Sequence, residues 1–274
     1  MLTTDHLSGH YRDGLGWFHE EFVPHLKARL WSLSGGAWSL GDYDAYACGS
    51  DVDFMTHVVN AANTAGGSAV YPGDWYGFSA GAIQPESILH SLQSTRRLAC
   101  LCVPSVRNGH LTRDMLRFLT EADACLLNIN LFPTLATEER HEIASSLNPV
   151  LAQSVISVSF SRGFGLTASQ LGVILIRHDH PLRGIYNGQW TWLTYFYNAI
   201  AAHAFMALDV DQLMAVDDAR RHWVATELNR RALPIVESGS YYVKAFTPEG
   251  TPPPYLEPLV RDGLVRLCFK PTQV

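Results

Sequence analysis

Ser157-Val158-Ser159-Phe160-Ser161-Arg162-Gly163-Phe164-Gly165-Leu166 runs from a strand-like segment into a turn carrying two glycines. Leu171-Gly172-Val173 then opens a second apolar run, so the turn is predicted to lie between two strands. Arg162 stands at the exit of the first. A guanidinium stays protonated in any protein, so at this place the chain sets a fixed cation and no nucleophilic amine.

Working outward, apolar runs alternate with helical segments. Strands are predicted at 45–48, 68–71, 98–103, 124–129, 155–160 and 171–176. Helices are predicted from the Gly49-Ser50-Asp51 turn to about 65, and at 85–93, 112–121 and 137–151. Before them, Leu15, Phe18, Phe22, Leu26 and Leu30 have helical spacing, with a kink expected at Pro24. After Pro181 the texture changes to helices at 190–208 and 211–231, then β-like runs at 241–246 and 264–269. This order implies an α/β fold whose sheet is mainly parallel, plus a small α+β domain. The strands lack strict alternation, as expected when both sheet faces are covered. The expected division is an N-terminal helical segment at 1–44 that packs on the small domain, a large α/β domain at 45–185, and linker helices with the small domain at 186–274.

The chain has 274 residues, 47% of them apolar and 17% charged, which suits a folded protein with a large core. A net charge of -6 without a basic cluster argues against nucleic acid as the main partner. No apolar run is long enough to span a bilayer, and the N-terminal residues lack a signal-peptide pattern. The five cysteines fit reduced core thiols, and the expected compartment is the cytoplasm. Lysine is scarce: Lys27, Lys244 and Lys270 stand against seventeen arginines.

The order of elements and the Ser-Phe-Ser-X-Gly-Phe-Gly-Leu string resemble fold-type-I pyridoxal-phosphate (PLP) enzymes, the aminotransferase superfamily. The resemblance runs from about Ala45 to the C-terminus. It implies that Gly49 and Ser50 form a phosphate-binding turn, where backbone N–H groups and the helix dipole favour an anion. It implies that Trp75, in Tyr71-Pro72-Gly73-Asp74-Trp75-Tyr76, stacks on a ring. Leu101–Gly109 is similar to the family's Asn-Pro-rich loop, which brings in Asn108. Leu127-Asn128-Ile129-Asn130-Leu131 is similar to the strand end that carries the pyridine-nitrogen aspartate. Arg266, in Leu264–Phe269, matches the arginine that grips a substrate carboxylate.

The departures gather around the cofactor. Arg162 replaces the Schiff-base lysine, and Asn128 replaces the aspartate, with Asn130 as its rival for that position. Leu131 replaces a tyrosine, Val106 an asparagine, and Gln170 an arginine that helps hold the phosphate. The carboxylate-gripping Arg266 is kept. The resemblance therefore implies a protein that acts on or binds a small amino acid or keto acid without a PLP Schiff base. Arg162 and His110 are its catalytic candidates, and Arg266, Trp75, Asn128 and Asn108 its substrate-binding candidates. Gly49, Ser50, Ser159 and Ser161 would hold PLP or another anion if one binds. Two alternatives stand beside this: a catalytically inactive partner subunit of an aminotransferase-like enzyme, and an enzyme that holds PLP or its amine form (PMP) non-covalently. The family is typically dimeric, so a homodimer is expected.

Other patterns are weaker. His178-Asp179-His180 reads as a polar loop, and no metal site is expected. Cys100 and Cys102 do not form a C-x-x-C motif, and no G-x-G-x-x-G is present.

Overall fold

The computed structural model of the chain describes residues 14, 16–48, 68–71, 73–74, 98–166, 171–185, 192–236, 238–261 and 263–269. Six strands form the main sheet: β1 (Tyr43–Cys48), β2 (Ser68–Val70), β3 (Leu98–Cys102), β4 (Ala124–Asn128), β5 (Ser154–Ser159) and β6 (Gly172–Arg177). Their spatial order is β1-β6-β5-β4-β3-β2. β2 to β5 pair in parallel, while β6 pairs antiparallel with both β5 and β1. The sheet is thus mainly parallel, with one reversed strand. β3, β4 and β6 are buried almost throughout, which explains their unbroken apolar sequences.

The register sets the functional edge. Cys102 lies opposite Asn128, and Asn128 opposite Ser157. The parallel strands β3, β4 and β5 therefore deliver their following loops to one edge of the sheet. In open α/β sheets this carboxyl edge is where ligands bind.

Helix α1 (Val23–Leu33) buries Val23, Leu26, Leu30 and Leu33. A π turn at Phe18–Phe22 precedes it, and Pro24 falls in its first turn, where a missing N–H costs little. α2 (Arg113–Thr120) starts at a capping box: Thr112 Oγ1 accepts from Met115 N–H at 3.3 Å, and Met115 Sδ accepts from Thr112 N–H. α3 (Thr137–Leu151) carries Glu138 and Glu139 in its first turn, matching the helix dipole. α4 (Trp192–Met206) and α5 (Val210–Arg230) follow, α5 capped by Asp209, which accepts from Gln212 N–H at 3.1 Å. Strands β7 (Val243–Phe246), β8 (Val260–Arg261) and β9 (Leu264–Cys268) form a separate antiparallel sheet in the order β7-β9-β8. The two-residue β8 was not foreseen, being too short to leave a pattern.

The described part of the N-terminal helical segment packs on the main sheet's core and on the end of α4. Phe22 and Phe160 meet there, and Phe205 sits edge-on to Phe22, Phe160 and Phe164 with centroids 4.8 to 5.8 Å apart. Arg29 lies over the Phe205 ring and donates to the carbonyls of Phe205 and Leu208, closing the end of α4. Four buried aromatic rings outweigh any docking that helical spacing alone could specify, since each contributes about 1.5–3 kcal/mol on burial. A second core joins the sheet's loops to α5 and the segment before β7 through Val106, Leu131, Val224, Leu228, Tyr241 and Tyr242.

Candidate functional site

Three loops and one C-terminal segment build the site. The loop after β3 is shaped by Asp74, which is fully buried. Its Oδ2 accepts from Cys102 N–H at 2.6 Å, and its Oδ1 accepts from Val106 N–H at 3.0 Å and from the Ser105 hydroxyl. Ser105 Oγ in turn accepts from Arg107 N–H. One carboxylate thereby fixes both ends of the bend through Pro104. Burial pushes its pKa up to about 6, against the pull of these three donors.

After β4, Asn128 is buried and its Oδ1 accepts from Asn130 N–H at 3.0 Å. Asn130 Oδ1 then accepts from Arg162 N–H at 3.3 Å. The two asparagines read as rivals in the sequence form one relay across the ends of β4 and β5. Gly163 is required beside it, because a Cβ there would meet the Asn130 carbonyl at 2.6 Å and Pro133 at 2.7 Å. Phe160 and Phe164 face the core, which leaves the Arg162 side chain exposed at the rim. Ser159 and Ser161, two apart, hydrogen-bond through their hydroxyls at 3.1 Å.

The C-terminal segment 238–243 closes over these loops. Gly239 N–H donates to Glu139 Oε1 at 2.7 Å, and Ser240 N–H to the Gly109 carbonyl at 3.0 Å. Thr134 Oγ1 donates to the Leu131 carbonyl at 2.6 Å, so Ser240 Oγ is the donor in its 2.8 Å bond to Thr134 Oγ1. Arg221 Nη2 caps the Thr134 carbonyl at 3.0 Å. Tyr241 donates to buried Asp217 at 2.6 Å and stacks on Tyr242, whose phenol lies within electrostatic range of Arg162. Burial raises the Asp217 pKa, opposed by the Tyr241 bond and by Arg220 and Arg221.

The expected residues fall into groups. Asn128, Ser159, Ser161 and Arg162 lie at the ends of β4 and β5. Arg266 joins this edge from β9, its Nη1 donating to the Val106 carbonyl at 3.1 Å. Asn108 shapes a turn, its Oδ1 accepting from His110 N–H at 3.0 Å. His110 packs against the turn at Gly239: a Cβ there would come 2.5 Å from its Cε1. Burial lowers its pKa, with Lys244 adding to the shift and Glu139 opposing it. Gly49, Ser50, Trp75 and Gln170 lie outside the described residues. Sequence reasoning missed the anchoring by Asp74, Thr134, Asp217 and Ser240. Only Ser238-Gly239-Ser240, a turn signal just before a strand, offered a hint of the last.

Among the described residues no group of three or more His, Cys, Asp or Glu side chains is placed to hold a metal ion. His178 pairs with Asp44. His180 differs from the exposed loop expected: it is buried, accepts from Leu182 N–H at Nδ1 and so donates from Nε2 to the Gln153 carbonyl. Cys100, Cys102 and Cys125 are buried free thiols.

By sequence the chain matches no family model and no curated protein. By structure it is similar to a PLP-bound C-S lyase from Staphylococcus hominis, in external aldimine form with L-cycloserine, at TM-score 0.63 and 12% identity over 93% of this chain and 72% of that one. It is similar to an aminotransferase from Staphylococcus aureus at TM-score 0.62 and 12% identity, over 98% and 86% of the two chains. An aromatic aminotransferase from Pyrococcus horikoshii gives TM-score 0.60 and 14% identity over 89% and 76%. The chain has the aminotransferase fold.

That fold holds PLP in the S. hominis lyase, so the residues here can be tested against the cofactor. Among the described residues, position 162 offers no amine for a lysine-bound PLP. Arg162 has no deprotonatable amine. Lys27 is engaged by the carbonyls of Gly41 and Tyr43, and Lys244 by those of Val236 and Ser238. Lys270 lies outside the described residues. At the end of β4, Asn128 offers a neutral amide whose oxygen is already accepting from Asn130, and it cannot balance a pyridinium charge. No single helix among the described residues is long and apolar enough to cross a membrane.

Proposed function

We propose that this aminotransferase-fold protein binds a small amino acid or keto acid carboxylate at the ends of β3, β4 and β5, without an aldimine at position 162. The observation that carries this reading is the replacement of an amine by a guanidinium at a rim where Arg266 is retained and held by the Val106 carbonyl. Two fixed cations suit a carboxylate and a second anionic group, and positioned cations also stabilise developing negative charge. Arg162 serves as clamp and electrostatic partner, because its guanidinium does not accept a proton. His110, packed against Gly239, is the candidate for proton transfer in this reading.

Calorimetric titration with a panel of amino and keto acids tests the proposal. Arg266→Gln should weaken binding tenfold or more while the melting temperature stays close to wild type. Unchanged affinity in Arg266→Gln would sink it. The same titration with PLP, followed by borohydride and intact mass, should give no covalent adduct. A non-covalent PLP or PMP complex is the second reading, favoured by the shared fold with a PLP-bound lyase and opposed by Asn128. A homodimer belongs to the same proposal, and light scattering checks it.

A further inference from the structure

We propose that the recess between α5 and β9 is a second ligand site, for a molecule with an aromatic or branched apolar body and a single anionic end. The recess encloses about 620 Å³, within the range of pockets that hold small molecules. Its floor is apolar, with Leu228, Leu233, Leu267 and Phe269 among its lining residues. Two large aromatic side chains stand at its walls largely in solvent, Trp223 at 49% exposure and Tyr255 at 74%. Exposed rings grouped around a concavity differ from single surface hydrophobics, which need no explanation.

The charge at the mouth selects the anionic end. Glu227 Oε2 accepts from both Arg230 and Arg231, so two guanidinium groups share one carboxylate and one positive charge is left over. Arg231 uses only Nη1 in its bonds to Glu227. Its Nη2 and Nε therefore present a planar pair of donors, the geometry that takes a carboxylate bidentately. A neutral apolar ligand would fill the floor and leave that charge unanswered.

The recess is separate from the carboxylate site but shares a strand with it. Arg266 and Leu267 are neighbours on β9 and point to opposite faces. Arg266 reaches the Val106 carbonyl, and Leu267 lines the recess. Phe269 N–H also donates to the Tyr242 carbonyl at 2.9 Å, tying the floor to the segment that faces Arg162.

The test uses 2-naphthoate and its uncharged analogue 2-naphthalenemethanol as probes, by calorimetry, on the full chain. Naphthoate should bind at least tenfold more tightly than the alcohol, and Arg231→Gln should abolish the difference. Cys268, an exposed thiol lining the recess, supplies an independent readout. Its alkylation by iodoacetamide, mapped by peptide mass, should slow at least fivefold at saturating naphthoate. Arg162→Gln and Arg266→Gln should leave naphthoate affinity within twofold, which separates this site from the carboxylate site. Absence of naphthoate binding, equal affinities in Arg231→Gln and wild type, or unprotected Cys268 would each overturn the proposal. So would loss of naphthoate binding in Arg266→Gln, which would place the probe at the other site.

Discussion

The sheet edge and the recess are built by opposite means. At the edge, buried polar atoms do the shaping: Asp74 alone organises three donors, and the Asn128–Asn130 relay fixes the backbone of Arg162. In the recess, apolar side chains line the walls and the polar atoms sit at the mouth in solvent. Buried hydrogen bonds make a site rigid and costly to alter, because each orphaned group keeps its full desolvation penalty. An exposed apolar hollow is cheap to alter and gains its energy only when filled. Stability measurements should therefore separate the two regions more cleanly than their shapes do.

The largest effect belongs to Asp74→Ala. It strands two buried N–H groups and a hydroxyl, each worth about 1–3 kcal/mol, for a total loss of about 3–5 kcal/mol in chemical denaturation. A loss under 1 kcal/mol would mean that the edge is not organised by this carboxylate. The same group gives the chain a pH signature. Its folded pKa, about 6, lies above the ordinary 3.8, so the folded state holds the proton more tightly. That contribution is complete below about pH 3.8 and is lost as pH rises through 6, on the order of 3 kcal/mol at 1.36 kcal/mol per unit. Denaturation of wild type against Asp74→Asn across pH 4–7 checks it: the variant, with no proton to release, should have the flatter profile.

Tyr241→Phe comes next. It removes the donor to Asp217 Oδ1 while Oδ2 already has no hydrogen-bond partner, leaving Arg220 at 3.4 Å as the remaining contact of that carboxylate. The expected loss is about 2 kcal/mol, and a neutral result would show that the phenol is dispensable. Smallest is Trp223→Ala, which should cost about 1 kcal/mol because half of the side chain already stands in solvent. It should nonetheless weaken naphthoate binding. A large stability loss would mark Trp223 as a core residue and blur the contrast between the two regions.

Much of the framework was legible because it is local. Alternating apolar runs gave the strands and helices, and the Gly-Phe-Gly turn gave the exit of β5 at Arg162; that this side chain is exposed came only from the packing of Phe160 and Phe164. What escaped depends on partners distant in the chain. Asp74 carries no local signal of burial, and only donors some thirty residues later bring it inside. His110 reads as a chemical group and is packed by Gly239, whose approach no spacing encodes. Phe22 and Arg29 have ordinary helical spacing, and their docking on Phe160 and Phe205 depends on ring geometry. Arg266 was placed correctly on its strand, but its bond to Val106 required the two sheets to be brought together.

The seam between the sheet's loops and the C-terminal elements has a kinetic consequence. Glu139 with Gly239, Gly109 and Thr134 with Ser240, and Arg221 with the Thr134 carbonyl bridge it at separate points along its length. A swing of the C-terminal elements away from the loops would have to break them together. If the edge takes the carboxylate proposed for it, the ligand should meet loops already in place, and capture becomes a single encounter. In stopped-flow mixing the observed rate should climb linearly with ligand concentration and show no plateau, the mark of a door that has no hinge.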